Sequence, residues 1–134
     1  MSSPILIFAA DREVKLVVLT SRGEAGVQRG SRMGQYARTG QMAYGAPVFA
    51  QVATGNQFYL FYGRDGLWRV GPNIGSHSGS ELKSNKKNEA TPPSGGWMYY
   101  DGNRNKWFKD WEMKATAYLR EGKRLESSTS FSKD

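Results

Sequence analysis

Hydrophobic residues in this chain come in short runs with a repeat of two, and no long segment carries the three-to-four spacing of an amphipathic helix. Val14, Leu16 and Val18 alternate with Lys15, Val17 and Leu19. Val48, Ala50 and Val52 alternate with Phe49 and Gln51, and Met113, Ala115, Ala117 and Leu119 with Lys114, Thr116 and Tyr118. A period of two sends alternate side chains to opposite faces of a sheet, so each run can bury one set. Sixteen glycines punctuate the runs, and nothing between them resembles a crossover helix, which makes antiparallel pairing the expectation. The predicted fold is all-β, a mostly antiparallel sandwich or barrel of about eight short strands with no long helix. At 134 residues the chain suits one domain with a real core. That domain is placed at 1–119, with a long loop at about 72–96 and a charged, Ser-rich tail over 120–134.

Two stretches read as the same hairpin. In the first, Phe58-Tyr59-Leu60-Phe61-Tyr62 enters the turn Gly63-Arg64-Asp65-Gly66, and Leu67-Trp68-Arg69-Val70-Gly71 leaves it. In the second, Trp97-Met98-Tyr99-Tyr100 enters Asp101-Gly102-Asn103-Arg104-Asn105, and Lys106-Trp107-Phe108-Lys109 leaves it. The turn residues are those that accept positive φ or bond their own backbone. A duplicated unit would produce this likeness, and so would the ordinary preference of aromatics for strands. Both readings stay open, because one pair does not establish a repeat.

Several functions lack their chemistry. With no cysteine there is no disulfide scaffold, thiol nucleophile or thiolate metal site. A single histidine, His77, leaves a transition-metal cage short of nitrogen ligands. Gly75-Ser76-His77-Ser78-Gly79 has the wrong spacing for a nucleophile elbow, and His77 reads as an exposed loop residue. Gly71-Pro72-Asn73-Ile74-Gly75 has neither the Lys-[Ser/Thr] of a phosphate loop nor a dinucleotide fingerprint. Paired carboxylates that could flank a glycosidic bond would come from Asp65, Asp101, Asp110 and Glu112, but the first two stand where turns favour aspartate. No catalytic residue, metal or cofactor is therefore assigned, and a hydrolase ranks below a binding role. The apolar runs Ile5–Ala10 and Leu16–Leu19 are far shorter than a membrane-spanning helix. The start Met1-Ser2-Ser3-Pro4 lacks the basic residues of a secretory signal. A cytoplasmic location without membrane partners is the default expectation, with Ile5–Ala10 as a first buried strand.

What remains is surface chemistry. Four Trp, seven Tyr and six Phe concentrate in 58–68 and 97–111, where consecutive aromatics must face both sides of a strand. One side can be core; the other presents rings that suit a sugar, a base or a protein, and could join copies of the chain. The first choice is a carbohydrate, with Trp68, Trp97 and Trp107 stacking on sugar rings, helped by Tyr62 and Tyr100. Asp65, Asp101 and Arg104 would hydrogen-bond the hydroxyls. The alternative is a single-stranded nucleic acid. The chain carries 19 Lys+Arg against 12 Asp+Glu, a net +7. Arg22, Arg29, Arg32 and Arg38 alternate with glycines over 21–40, a pattern of flexible RNA-binding segments, and Lys106 would add a phosphate contact. A plain protein–protein role stands third.

Gly96-Trp97-Met98-Tyr99-Tyr100 followed by Asn105-Lys106-Trp107 resembles the Trp/Tyr hairpins of choline- and glucan-binding repeats, once, where those proteins carry many copies. The wider pattern of Gly34-x-Tyr36, Pro47-Val48, Tyr59 to Tyr62, Trp68-x-Val70-Gly71, Trp97, Trp107 and Asp110 resembles a small Trp/Gly-rich β unit over roughly 34–118. That likeness implies a β module and no particular activity.

Overall fold

The computed structural model describes residues 13–120, apart from 54 and 56, and the backbone of 123 and 124. The run Ile5–Ala10 and nearly all of the 120–134 tail, both assigned a role above, lie outside the described residues. The first alternation forms β1 (Leu16–Ser21), which points Val17 and Leu19 inward with no exposed surface. A five-residue helix, α1 (Glu24–Gln28), and a 3-10 turn (Gly30–Arg32) lead to β2 (Gly34–Ala43). The remaining strands are β3 (Ala46–Gln51), β4 (Tyr59–Tyr62), β5 (Trp68–Gly71), β6 (Leu82–Ser84), β7 (Trp97–Asp101), β8 (Lys106–Asp110), β9 (Met113–Arg120) and β10 (Lys123–Arg124).

The ten strands make one sheet in the order β10-β9-β1-β2-β3-β4-β5-β6-β7-β8, and every pairing is antiparallel. Its core draws on strands β1 to β9, from Val17, Tyr36 and Phe49 through Trp68, Leu82 and Trp97 to Met113, with Phe108 packed alongside. One face of one sheet thus surrounds a common core. The fold is all-β and antiparallel as expected, one sheet curled into a half-barrel with β10 and β8 at its edges. The third alternation behaves as expected: Met113 and Ala115 are buried, and Ala117 and Leu119 pack against the same core. In β3 both sets are used, Phe49 inside and Val48 in a second cluster with Ala43 and Phe61 on the outer face.

Closure depends on a corner. β8 and β9 belong to opposite ends of the sheet, yet only Trp111 and Glu112 separate them in the chain. Asp110, at the end of β8, is buried there and joins three elements. Its Oδ2 accepts from the Ser21 hydroxyl (2.6 Å) and the Ala25 N–H (2.9 Å), and its Oδ1 from the Glu112 N–H (2.9 Å). A carboxylate that accepts several donors in a buried place is a strong tie. A side chain at Gly23 would collide with the Asp110 carboxylate, and one at Gly26 with the Ser21 carbonyl.

The two segments that looked unstructured are ordered against the core. Residues 22–33 hold it from one side: the Tyr36 hydroxyl donates to the Arg32 carbonyl (2.7 Å), and the Gln51 amide donates to the Ser31 carbonyl (2.8 Å). The expected long loop at 72–96 is divided by β6. Its second part caps the core, because the Trp68 indole N–H donates to the Glu89 carbonyl (2.9 Å) and that of Trp97 to the Pro93 carbonyl (2.8 Å). No helix among the described residues is long and apolar enough to cross a membrane.

Candidate functional site

The two hairpins carry the same aromatic pair on opposite faces. Tyr62 lies opposite Trp68, ring centroids 5.5 Å apart at 65°, and Tyr100 lies opposite Trp107, 5.6 Å apart at 70°. The first pair faces the core and the second faces outward. The cause is parity: Leu60 and Tyr62 share the inner face, whereas Trp97 and Tyr99 take the inner face of β7 and turn Tyr100 out.

This corrects the carbohydrate set. Trp68 and Trp97 are 0% exposed, so neither can stack on a ligand without opening the core. Tyr62 packs on Trp68, and its hydroxyl donates to Asn88 Oδ1 (3.2 Å). Asp101 is 2% exposed and accepts from the Asn103 and Arg104 backbone N–H groups (2.9 and 3.2 Å). Burial opposes its ionisation, but those bonds and the Gln28 amide outweigh it and hold the carboxyl below the usual range. It builds a turn and is not free for a hydroxyl. Of the original set, Arg104 is exposed, and Trp107, Tyr100, Tyr62 and Asp65 are each partly exposed.

The outer face around Trp107 is continuous. Phe61, Arg69, Lys83, Met98 and Lys109 lie directly opposite one another across β4 to β8. The Lys83 ammonium is 4.2 Å from the centre of the Trp107 ring, and Lys109 is 4.9 Å from that of Trp111, which is 71% exposed. Arg104 and Lys106 lie 4.7 and 6.0 Å from the ring centre of Phe108, which packs on the core side of β8, so they belong to the other face of the hairpin. Neighbouring strands are about 4.8 Å apart, so Arg69, Lys83 and Lys109 span roughly 15 Å of surface.

A charged cluster borders this face. Arg69 is 6% exposed; its Nη2 donates to Asp65 Oδ2 (2.8 Å) and its Nη1 to the Ser80 hydroxyl (3.4 Å). The segment 72–81 folds over Phe61 through Ile74 and brings His77 Nε2 to 3.8 Å from Asp65 Oδ1. Burial would raise the Asp65 pKa, but the Arg69 bond, the Leu67 N–H and the Arg69 and His77 charges pull it below the ordinary value. His77 is held below its ordinary value by burial and by Arg69, with Asp65 opposing and Arg64 and Lys83 adding. Lys83 is lowered by burial and Arg69, again against Asp65.

The Arg/Gly segment is not a flexible tether. Arg29 and Arg32 both pair with Glu81, at 3.4 and 2.6 Å; Arg29 also donates to the Tyr100 carbonyl (2.8 Å), and Arg32 sits 4.3 Å over Phe58. Arg38 pairs with Glu13 (3.0 Å) beside a groove of about 550 Å³ shared with Lys15 and Met42. Arg22 is exposed at the start of the segment, and Lys106 is exposed on β8. Three of the four arginines are therefore committed to carboxylates. Arg69, Lys83, Lys109 and Trp111 were missing from the sequence-based site. The signal for Arg69 was present, since it alternates with Trp68 and Val70; that for Lys83 was not, since its partner strands could not be paired in advance.

No family model, no curated protein and no solved structure matches the chain. Fold and face together define a curled antiparallel β domain with an aromatic cluster on its outer face.

Proposed function

We propose that the protein is a non-enzymatic binding module whose ligand, a single-stranded nucleic acid, lies across the outer face of β5 to β8. The observation that carries this is the placing of cations on the rings this face exposes, Lys83 on Trp107 and Lys109 on Trp111. Single-strand binders combine cations that follow phosphates with rings that accept bases. A cation on an exposed ring is worth about 0.5–1 kcal/mol, less than the roughly 1–3 kcal/mol of a stacked base. A base can therefore take the ring while the ammonium moves to a phosphate. The phosphate contacts fall to Lys83 and Lys109 in place of the arginines of 22–38, with the buried Arg69 adding positive charge beneath them.

Carbohydrate is the second reading, favoured by the exposed Trp111 ring. A neutral sugar makes no use of the three cations, which ranks it lower. Titrating a fluorescent oligodeoxythymidylate at two salt concentrations separates the two. Two phosphate contacts on a single strand give a log–log salt slope of about −1.4, or roughly sevenfold weaker binding between about 50 and 200 mM salt. A neutral oligosaccharide that quenches tryptophan fluorescence equally at both salts, with no oligonucleotide binding, would overturn the proposal.

A further inference from the structure

We infer that Lys83 and His77, above the buried Arg69, form the seat of one phosphodiester of the bound strand, and that protonation of His77 tightens it. The inference deepens the nucleic-acid reading and rests on it.

Three observations lead there. First, Arg69 and Lys83 stand directly opposite on the same face, an arrangement that like charges make unfavourable. Only Asp65 answers them among the carboxylates facing the cluster, and it already serves Arg69 and the Leu67 N–H. An oxyanion over the two cations relieves that repulsion. Second, His77 is held by the fold beside these groups, its buried Nε2 without a hydrogen bond and 3.8 Å from Asp65 Oδ1. Third, the cluster reaches the surface through His77 and Asp65, whose side chains are 30% and 32% exposed, while Arg69 lies beneath them, bonded to Asp65 and Ser80. Lys83 reaches from Arg69 to the Trp107 ring, so a phosphate here adjoins a base stacked on Trp107.

The charged groups facing His77 are Asp65 from the hairpin turn, Arg64 beside it, Arg69 from β5 and Lys83 from β6. Three repel a proton and one attracts it, and a bound phosphodiester adds a second negative neighbour. Protonation and strand binding therefore favour each other. His77 is the chain's only histidine, and a phosphodiester keeps its single charge throughout this range, so a pH step in affinity belongs to the protein.

The test is oligodeoxythymidylate affinity at constant ionic strength between about pH 8 and 5.5, a range that spans the histidine titration. The expected result is a rise on the order of fivefold toward acid, set by one added charge at short range. His77→Gln should abolish the step, so that affinity no longer rises toward acid. Lys83→Met, which keeps an apolar stem on Trp107, should make the salt slope shallower by about 0.7. Binding with an unaltered pH step in His77→Gln, or an unaltered slope in Lys83→Met, overturns the seat while leaving the nucleic-acid reading in place. If no oligonucleotide binds, that reading fails, and inorganic phosphate decides the seat. A shift of the His77 ring resonances with phosphate, but not with chloride at equal ionic strength, sustains an oxyanion site; no shift overturns it.

Discussion

Replacing Trp68 and Trp107 separately by alanine measures how far apart the two faces set them. Trp68 is fully buried, touches Phe49 and Tyr62, and donates its indole N–H to Glu89. An aromatic side chain buries roughly 200 Å², worth about 5 kcal/mol at 25 cal/mol per Å², and measured aromatic-to-alanine losses are about 3–5 kcal/mol. Loss of the indole also leaves the Glu89 carbonyl without its partner. The expected loss for Trp68→Ala is therefore about 4 kcal/mol, a large part of the 5–15 kcal/mol that typical domains possess. Trp107 is half-buried and touches Tyr100 and Lys83. About half of its surface is covered, roughly 100 Å² or about 2.5 kcal/mol at 25 cal/mol per Å², so Trp107→Ala should lose about 2 kcal/mol, half the Trp68 loss. Urea unfolding followed by circular dichroism reads both, and Trp107→Ala should unfold clearly above Trp68→Ala. Equal losses in the two variants would refute the opposite-face assignment. So would a Trp68→Ala protein as stable as wild type.

Other consequences follow from the same contacts. Asp110→Asn places an amide donor where the carboxylate meets three donors; a loss of about 2–3 kcal/mol in urea unfolding is expected, and Asp110→Glu should not restore it. Gly26→Ala puts a methyl group against the Ser21 carbonyl and should lose about 1–3 kcal/mol, where an ordinary helical glycine would gain from alanine. Burial raises the Tyr36 pKa well above its usual value, with Arg32 opposing. Because the folded state favours the neutral phenol, that contribution is complete below about pH 10, the unfolded value, and declines as the pH rises beyond it. Tyr36→Phe should remove this part of the alkaline loss while lowering neutral stability by about 1 kcal/mol, which thermal melts across pH 8–11 would show.

How much of this was legible can be seen in the two hairpins. Their existence, their turns and the inward set of Met113, Ala115, Ala117 and Leu119 follow from period-two patterning alone. Which Trp is core does not, because Tyr62–Trp68 and Tyr100–Trp107 look alike as strings. Five residues separate the first pair and six the second, and only the register of β5 and β7 against β6 turns one in and the other out. The Arg/Gly stretch failed for a related reason. Glu81 lies about fifty residues beyond Arg29 and Arg32, so their neutralisation is a tertiary fact. Asp110 shows the same limit: it reads as a strand end, and its role comes from Ser21 and Ala25, both remote in sequence.

The four tryptophan indole N–H resonances give the most direct test of the outer face as the binding surface. On addition of oligodeoxythymidylate to 15N-labelled protein at low salt, the signals of Trp107 and Trp111 should shift, together with the backbone amides of Lys83, Met98 and Lys109. Those of Trp68 and Trp97, bonded to Glu89 and Pro93, should stay in place. Shifts confined to the groove at Glu13, Lys15 and Arg38, or a spectrum unchanged at saturating oligonucleotide, would contradict the account.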